Sequence, residues 1–283
     1  MFGVSARAGE EGGAVFGRTI VGGEFDYRIQ SGDYPIILAA RFGVESRVIV
    51  STNHLASNQR LRRGSILKID NRRIVPPDVD SGIIINVPQR MLYYLADGEV
   101  LDSYPVAVGR RTWQTRSGSF RVFEKREHPV WHVPPSIQRE MEQEGKEVEE
   151  EVEPGPDNPL GDYWMGLSLD SYGIHATNRP GSIYGFRTHG CIRLSPADAK
   201  DLYGKVAIGT RGVIVYHPVL LARSDEGRIF LEVDKDQYHL GNNPLAAARA
   251  LAESLHLDSQ IDWNRAGEVA DASEGIARDV SAP

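Results

Sequence analysis

The spacing of hydrophobic and polar positions changes along the chain and divides it into regions with different predicted structures. From Tyr34 to Phe42 apolar residues recur at roughly helical spacing, and a second helix is predicted over Ser46 to Asn53. From residue 83 onward the apolar residues instead form short runs, rich in β-branched and aromatic side chains and separated by Gly, Pro, Asp or Asn. The sequence therefore predicts an α+β fold that is mostly β beyond residue 83.

Residues 25–72 have the pattern of a strand–helix–helix–strand unit. Tyr27–Gln30 predicts the first strand, Ser31–Asp33 a turn, and Gly64–Asp70 a closing strand with alternating apolar positions. With Phe42-Gly43-Val44 at the end of the first helix, this order resembles a LysM module, a fold that binds glycans containing N-acetylglucosamine. Asn53-His54 stands where such modules usually carry Asn-Pro, and a small docking domain without a ligand is the alternative.

Composition suggests how the neighbouring regions are organised. Residues 1–24, rich in Gly and Ala, are predicted to be a disordered lead and lack the basic-then-apolar layout of a secretory signal. Paired prolines favour extended backbone, so we place a stiff linker at 73–82. Residues 83–218 are predicted to form a mixed sheet or sandwich, with a helix that begins at Ser195-Pro196.

The carboxy-terminal extension, 219–283, is predicted to start with a β-hairpin over Ala222–Val233 and to continue with a helix capped by Asn243. The end of the chain has the composition of a polar helix or tail. Within the strand-rich region, the segment 134–160 carries the acidic run Glu142–Glu153. A solvated helix face or a mobile loop is the simpler interpretation. A flap that selects cationic substrate groups is the functional one.

Charge and cysteine content limit the classes of function. The chain has 283 residues, a formal net charge of −7 and 41% hydrophobic residues. This charge argues against nucleic acid as the principal partner, because phosphate binders carry a clustered basic surplus. No apolar run reaches the length of a membrane helix. The single cysteine excludes an internal disulfide and leaves a thiol to be explained.

The surroundings of Cys191 favour a nucleophile over a small buried hydrophobic residue. Gly190 leaves space beside the sulfur, and His175 and His189 are two candidate bases. The helix predicted after Ser195 directs its positive end toward this loop, which favours a thiolate. We therefore expect the pKa of the thiol to fall below its ordinary value of about 8.5.

The segment Thr188-His189-Gly190-Cys191-Ile192-Arg193 resembles the signature of L,D-transpeptidases with a YkuD-type catalytic domain. Their pattern is a histidine, a spacer, and then Ser/Thr-His-Gly-Cys. Within that family the chain is most similar to the ErfK/YbiS-like group, which carries an amino-terminal LysM-like module. The resemblance implies that Cys191 is the nucleophile and His175 the general base and later acid, while His189 orients the loop or the substrate.

The same resemblance implies roles for the residues around this pair. Arg193 would bind a peptide carboxylate, the amides of Gly190 and Cys191 would form an oxyanion hole, and Thr188 would pack or hydrogen-bond beside them. One of the flanking residues Tyr172 and Tyr184 is expected to line the cleft. His175-Ala176-Thr177 replaces the common His-Gly-Thr, so we expect the Ala176 methyl group to narrow the space near the base.

The family resemblance also implies a reaction and its partners. A peptidoglycan stem peptide would acylate the cysteine and release D-Ala, and an amine of another stem or a lipoprotein lysine would accept the acyl group. The expected location is the periplasm or cell envelope, with stem peptides and glycan strands as partners. Water as the acceptor would make the protein an L,D-carboxypeptidase, and a non-catalytic peptidoglycan-binding scaffold is the alternative from another class.

The sequence predicts no cofactor and no metal site, because His-Glu-x-x-His is missing and the other histidines are scattered. Ser65-Ile-Leu-Lys68 spells the Ser-x-x-Lys of serine penicillin-binding enzymes. It lies in a predicted strand with no Lys-Thr-Gly element after it, so we interpret it as a coincidence.

Overall fold

The computed structural model of the chain describes residues 11–56, 60–169, 172–241 and 243–283. In these residues the helices are α1 Pro35–Phe42, α2 Ser46–Thr52, α3 Pro135–Gln143, α4 Pro196–Lys205, α5 Pro244–Ser254 and α6 Trp263–Ala272, with short 3-10 helices at Pro180–Ser182 and Asp258–Gln260. The strands are β1 Ala14–Phe16, β2 Thr19–Val21, β3 Glu24–Arg28, β4 Ile66–Asp70, β5 Arg73–Val75, β6 Gly82–Asn86, β7 Met91–Ala96, β8 Glu99–Pro105, β9 Val108–Gly109, β10 Gly118–Glu127, β11 Trp131–His132, β12 Glu151–Val152, β13 Tyr163–Leu167, β14 Gly173–His175, β15 Phe186–Thr188, β16 Ile192–Arg193, β17 Arg211–Val215, β18 Val219–Arg223, β19 Ile229–Val233 and β20 Arg278–Asp279.

The largest sheet is mixed, with the strand order β16-β14-β13-β10-β17-β6-β7-β8. β17 runs parallel to β6 and β14 parallel to β16, whereas the other neighbours in this sheet are antiparallel. Just past β8, Ala107 exchanges two backbone hydrogen bonds of 2.8 and 2.9 Å with Arg193 of β16. The two edges of the sheet therefore meet beside residues 191–193.

Both faces of this sheet are covered. Ile83 and Ile85 of β6 belong to one apolar cluster and Ile84 to another, and none of the three is exposed. A continuous apolar run is typical of a strand buried on both sides. At one of these faces α4 begins after Ser195, whose Oγ accepts from the amide of Asp198 at 3.1 Å, and it buries Ala199 and Leu202. The predicted cap of α4 is confirmed.

The amino-terminal unit has the predicted order of elements, β3-α1-α2-β4, with β3 antiparallel to β4. Leu38, Ile49 and Leu67 form its core, and Ile276 from the end of the chain joins the same cluster. The guanidinium of Arg47 donates to two carbonyl oxygens at residues 272–273, at 2.9 and 2.7 Å. This unit is therefore packed against the carboxy-terminal extension, while its assignment as a LysM module stays a prediction.

The prediction of a disordered lead is wrong where the structure describes residues 11–24, and the predicted stiff linker begins with a paired strand. β1 pairs in parallel with β18, and β2 pairs antiparallel with β5. β5 lies inside the predicted linker and is buried. Strands of three residues are too short to show an alternation of apolar and polar positions, and the partners of these strands lie far away in the sequence. The strands therefore could not be predicted from their own residues. Residues 1–10 of the predicted lead lie outside the described residues.

The carboxy-terminal extension forms a second sheet, with the order β1-β18-β19-β20. The β18–β19 hairpin is confirmed, and so is the cap of α5, where Asn243 Oδ1 accepts from the amide of Ala246 at 2.9 Å. α5 and α6 bury Ala248, Ala252 and Ala266 against this sheet. Within the described ranges, no helix combines the length and apolar content needed to cross a membrane.

Candidate active site

A cavity of about 1130 Å³ opens beside the point where the two sheet edges meet. Its wall contains most of the predicted site residues together with three tryptophans. The lining includes Trp113, Trp131, Trp164, Tyr172, His175, Thr188, His189, Cys191 and Arg193.

Two adjacent parallel strands bring the predicted base and nucleophile to this cavity. β14 and β16 pair so that Ile174 lies opposite Ile192 and His175 opposite Arg193. Side chains alternate between the faces of a strand. The two isoleucines therefore enter the apolar core, while His175 and Arg193 face the cavity. Cys191 directly precedes β16, is partly exposed, and lines the same cavity as His175.

Position 190 requires a glycine for two reasons, its backbone conformation and the nearby ring of Tyr172. Its φ of 115° is one that residues with side chains rarely adopt. A Cβ atom at this position would also lie 2.6 Å from Cε1 of Tyr172. The Tyr172 hydroxyl donates to the carbonyl of Gln114 at 3.0 Å, which holds the ring against the loop. Of the two tyrosines considered, Tyr172 is the one on the cavity wall.

Thr188 braces the turn that contains the thiol. Its Oγ1 donates to the carbonyl of Cys191 at 2.6 Å and accepts from the amide of Gly190 at 3.1 Å. The Gly190 amide is therefore already hydrogen-bonded within the loop. The prediction that the amides of Gly190 and Cys191 form an oxyanion hole stays a prediction.

His175 is held as a neutral ring. It is only 4% exposed, and burial followed by the positive charge of Arg193 lowers its pKa to about 3, against the weaker opposing effect of the carbonyls of Ala176 and Leu160. Nδ1 lies 2.6 Å from the carbonyl oxygen of Ala176. This contact requires a hydrogen on Nδ1, so the neutral ring keeps its lone pair on Nε2. The Trp164 ring stacks beside it at 6.0 Å.

The expected lowering of the thiol pKa is wrong. Burial raises the pKa of Cys191, and this effect outweighs the opposing hydrogen bond from the Gly173 backbone and the charge of Arg193. At neutral pH the site therefore holds a thiol and a neutral imidazole, and no thiolate–imidazolium pair. Sequence inspection could not find this, because desolvation depends on how deeply the loop is packed.

Arg193 places a positive charge on the cavity wall. Its Nη1 donates to Ser182 Oγ at 3.0 Å, and burial lowers its pKa. Its Nε is buried without a hydrogen-bond partner among the described residues. An anionic group in the cavity would therefore meet a guanidinium that is only partly satisfied by the protein.

The segment 134–160, which carries the acidic run, contacts the site through Glu140 of α3. Nε2 of His189 lies 2.5 Å from Glu140 Oε2 and 3.0 Å from Nη2 of Arg110, and the ring of Trp113 meets His189 edge-on at 5.1 Å. Arg110 and then His189 lower the pKa of Glu140. We call residues 131–160, from β11 through α3 to β12 and the following turn, the flap. α3 has no buried residue, and Ser136 and Ile137 line the cavity. Only Glu142 and Gln143 of the acidic run belong to this helix.

Two predicted features lie away from the cavity. Tyr184 is buried, accepts from Nη2 of Arg73 at 2.6 Å, and lies beneath the guanidinium of Arg90 at 4.0 Å from its ring centre. Of the two tyrosines expected to supply a residue to the cleft, Tyr184 is the one that does not line the cavity, because it belongs to a buried polar network. Ala176 follows His175 on the chain, so its methyl group points into the core and does not narrow the cavity, contrary to expectation.

Three supporting residues were missed from the sequence. Asn158 is fully buried and fastens the flap: its Nδ2 donates to the carbonyl of Pro129 at 2.8 Å, and its Oδ1 accepts from the amide of Leu160 at 2.9 Å. Thr115 and Tyr238 form hydrogen bonds beneath the cysteine loop. Only Asn158, inside a turn-rich run of Pro, Gly and Asp, carried a local signal. Among the described residues, His, Cys, Asp and Glu form no group that could hold a metal ion.

Residues 80–215 match the YkuD family, described as the L,D-transpeptidase catalytic domain. The chain is 31% identical over 253 residues to the probable L,D-transpeptidase ErfK/SrfK of Escherichia coli, covering 86% of this chain and 81% of that protein. It is 32% identical over 197 residues to the probable L,D-transpeptidase YbiS of the same organism, covering 69% and 61% of the two chains. Among solved structures it aligns with the catalytic domain of Enterococcus faecium L,D-transpeptidase at 25% identity and a TM-score of 0.37, over 48% and 96% of the two chains.

The chain therefore belongs to the L,D-transpeptidase family. It is an enzyme of the L,D-transpeptidase class.

Proposed function

We propose that this enzyme transfers a peptidyl group between peptidoglycan stem peptides through a thioester on Cys191. The observation that carries the proposal is that Cys191 and His175 line one cavity from adjacent strands, in a chain of this family. The donor is a tetrapeptide stem with diaminopimelate in third position. The acceptor is an amine of a second stem or a lysine of a lipoprotein, and the location is the cell envelope.

The protonation of the site supports general-base attack. As the sulfur of Cys191 bonds to the donor carbonyl carbon, the thiol proton passes to Nε2 of His175, which the neutral ring leaves available. The carbonyl π electrons move onto oxygen. When the C=O bond re-forms, the C–N bond breaks, and the imidazolium gives its proton to the departing D-Ala amine.

The second half of the reaction repeats these transfers in reverse. The acceptor amine attacks the thioester, His175 takes a proton from it, and the sulfur leaves and recovers that proton as a thiol. Arg193 supports the proposal as a cation that can bind a stem-peptide carboxylate. The contact between His189 and Glu140 supports a role for His189 in fixing the loop.

The test is a muropeptide assay that reports both the bond cleaved and the bond formed. The protein is incubated with a disaccharide-tetrapeptide, with and without an amine acceptor, and the products are analysed by mass spectrometry. We expect loss of D-Ala, a crosslinked product, no reaction for Cys191→Ala and a strongly slowed reaction for His175→Ala. His128→Ala, at an exposed histidine, should behave as the wild type.

Other outcomes would overturn the proposal in distinct ways. Loss of D-Ala without a crosslink at any acceptor concentration would show an L,D-carboxypeptidase. The absence of D-Ala release, together with no carbapenem adduct on folded protein, would show a peptidoglycan-binding scaffold. A carbapenem adduct that persists in Cys191→Ala would place the nucleophile elsewhere.

We also propose that residues 25–72 act as a LysM-like glycan-binding module. The support is the β3-α1-α2-β4 order and the exposed aromatic side chains of Phe25 and Tyr34. The catalytically blocked Cys191→Ala protein should sediment with insoluble peptidoglycan, and Tyr34→Ala in the same background should weaken this several-fold. Equal sedimentation of the two proteins would argue against Tyr34 as part of a glycan site.

A further inference from the structure

Four side chains form a row across the large sheet on the face that borders the cavity. The strands β10, β13, β14 and β16 are neighbours, and Trp164 of β13 lies opposite Arg126 on one side and His175 on the other. His175 in turn lies opposite Arg193. All four side chains line the cavity. Trp164 is therefore the cross-strand neighbour of the proposed base on the side away from Arg193.

Two glycines leave room for the Trp164 ring to lie along the sheet. Gly166 and Gly173 pair with each other on β13 and β14, two residues away from the pair of Trp164 and His175 and on the same face. A Cβ at Gly173 would collide with the six-membered ring of Trp164, and a Cβ at Gly166 would lie 2.6 Å from Cγ of Glu124. The indole therefore extends over Gly173, and its centre lies 6.0 Å from that of the His175 ring at an interplanar angle of 30°.

Glu124 holds this indole in one orientation. Its Oε1 accepts from Nε1 of Trp164 at 2.9 Å, and its Oε2 accepts from Nη2 of Arg126 at 2.6 Å. Hydrogen bonds to an ionised carboxylate are roughly twice as strong as those between neutral groups. Among the described residues on the cavity wall, Glu124 supplies the only carboxylate, and both of its oxygens are used by these neighbours. Its place in the site is therefore to fix Trp164.

The indole covers a ring that is almost fully buried although it lines the cavity. His175 is only 4% exposed, and its Nδ1 is bound to the carbonyl of Ala176. A stacked indole displaces water from the ring, and an imidazolium that cannot be hydrated is disfavoured. The neutral ring, with its lone pair on Nε2, is the form that general-base catalysis needs. Trp164 therefore favours the reactive form of the proposed base.

Burial outweighs the charges around His175. The ionisable groups that flank the ring along the sheet are Arg193 and Cys191 on one side, and Arg126 and Glu124 beyond the indole on the other. Burial, followed by the charge of Arg193, lowers the pKa of His175 from 6.5 to about 3. The face of an indole also attracts a cation, but at 6.0 Å this attraction is at the end of its range and raises a pKa by less than about one unit.

We propose that Trp164 is a positioning residue that shields the His175 ring from water, and that Glu124 holds Trp164 in this place. The consequence for the reaction rests on the proposed function, because it requires His175 to act as the base. The shielding itself does not depend on any reaction and can be measured without substrate.

Titration of His175 measures the shielding directly. Histidine-labelled protein is followed by NMR from pH 4 to pH 8, and the His175 resonance is the one, among those of eight histidines, that is missing from His175→Ala. In the wild type we expect no midpoint in this range. In Trp164→Ala we expect a midpoint between about pH 5 and pH 6.5, because water then reaches the ring, whose ordinary pKa is about 6.5.

Variants of Glu124 test whether it holds the indole. Glu124→Ala should move the midpoint in the same direction by a smaller amount, whereas Glu124→Gln should match the wild type because its amide oxygen still accepts from the indole. Glu127→Ala removes an exposed carboxylate from the same strand, and Trp263→Ala removes an indole that donates to the carbonyl of Asp258 outside the cavity. Both are matched controls and should behave as the wild type.

Acylation by a carbapenem shows the consequence for the reaction. The rate for each variant is divided by the wild-type rate at pH 8 and at pH 5. For Trp164→Ala this ratio should fall by about 2- to 30-fold from pH 8 to pH 5, because an imidazolium does not accept the thiol proton. For Glu127→Ala and Trp263→Ala the ratio should be the same at both pH values.

The contrary outcomes are distinct. A His175 midpoint below about pH 5 in folded Trp164→Ala would overturn the shielding. An unchanged midpoint in Glu124→Ala, or an equal change in Glu127→Ala, would overturn the role of Glu124. If Trp164→Ala loses the wild-type circular dichroism spectrum, Glu124→Ala decides, and an unchanged midpoint in that variant rejects the whole proposal. A wild-type protein that is acylated by neither carbapenem nor stem peptide would instead reject the proposed function, whatever the titrations show.

Discussion

The protonation of two side chains governs how this site reacts. A thiol whose pKa is raised and an imidazole whose pKa is lowered to about 3 both stay neutral at pH 7. Nucleophilic attack then requires the proton to move during the reaction, so Nε2 of His175 has to be near the sulfur at that moment. A cysteine that waits as a thiol is also protected from oxidants, which attack the thiolate.

Replacing His175 should remove the proton acceptor without removing the thiol. We expect His175→Ala to slow acylation of Cys191 by about 100- to 10,000-fold, because general-base catalysis contributes on that order. In the wild type the acylation rate should show no step near pH 6.5, since the ring is already unprotonated well below that pH. Stopped-flow acylation by a carbapenem from pH 5 to pH 9 measures both, and a clear step between pH 6 and pH 7 would contradict the buried, neutral ring.

At this scale the sequence predicts the proposed nucleophile and most of the residues around it, because they lie in one contiguous signature, 188–193. It does not predict Thr115 or Tyr238, whose partners are 75 and 129 residues away along the chain. It also does not distinguish Tyr172 from Tyr184, because closeness to the signature in sequence does not determine the face on which a side chain lies. Which distant residues form hydrogen bonds, and which side chains are buried, is decided only when the chain folds.

At the scale of elements, the flap depends on one buried amide. Asn158 joins the carbonyl of Pro129, just before the flap, to the amide of Leu160 at the end of the flap. The cavity wall on that side, which includes Leu160, therefore has a fixed base.

Removing this amide should destabilise the protein strongly. We expect Asn158→Ala to lower the free energy of unfolding by about 2 to 4 kcal/mol, because buried backbone partners are left unsatisfied. Urea unfolding followed by circular dichroism measures the loss. Asn178→Ala, at an exposed asparagine with a bond of 3.1 Å to Pro156, is the matched control and should lose less than about 1 kcal/mol. Equal losses in the two variants would show that Asn158 does not fasten the flap.

The contact between Glu140 and His189 should hold α3 in place but contribute only modestly to the free energy of unfolding. We expect Glu140→Gln to speed hydrogen exchange in α3 while global stability changes by less than about 1 kcal/mol, since both partners are partly exposed. The effect should shrink in high salt, which screens the wild-type pair. Glu142→Gln, at an exposed position of the same helix, should leave exchange unchanged, and faster exchange in Glu142→Gln alone would contradict the role of Glu140.

Element prediction succeeded where the signal was local and failed where it was not. Ser195 and Asn243 cap their helices as predicted, because a cap is a contact within a few residues. β1, β2 and β5 were missed, because they are held by partners in other parts of the chain. The residues that make β1 and β2 strands and not a disordered lead are therefore those of their partner strands, β18 and β5.

At the scale of the whole molecule, a buried charged network joins the amino-terminal unit, the catalytic domain and the carboxy-terminal extension. Arg73 and Arg90 face the carboxyl groups of Glu45, Glu232 and Asp234. Two guanidinium groups cannot balance three carboxylates. Accordingly, burial raises the pKa of both Glu232 and Asp234, and a proton neutralises the surplus carboxylate.

This network should make stability fall as the pH rises. The folded protein keeps protons on Glu232 and Asp234 that the unfolded chain releases, so their contribution is full below about pH 4 and is lost by about pH 8. We expect the free energy of unfolding of the wild type to decline, relative to Asp234→Asn, between pH 5 and pH 8. Denaturant unfolding at several pH values measures the difference, in which titrating groups outside this network cancel. The difference includes Glu232, because the charge of Asp234 raises its pKa.

Asp225→Asn is the matched control for the predicted pH dependence of stability. Asp225 lies exposed in the β18–β19 turn, so Asp225→Asn should follow the wild type at every pH. Parallel curves for the wild type and Asp234→Asn would contradict a retained proton at this site.

The parallel pairing of β1 with β18 sets the order in which the molecule can assemble. Ala14 lies opposite Val219, so the first described strand has no partner until nearly the whole catalytic domain has been made. During synthesis from the amino end, that strand stays unpaired while the rest of the chain emerges. A polypeptide that ended before residue 219 would leave β1 without its partner strand β18 and would lack Tyr238. The pairing of β1 and the hydrogen bonds that Tyr238 makes beneath the cysteine loop therefore depend on the same late segment of the chain.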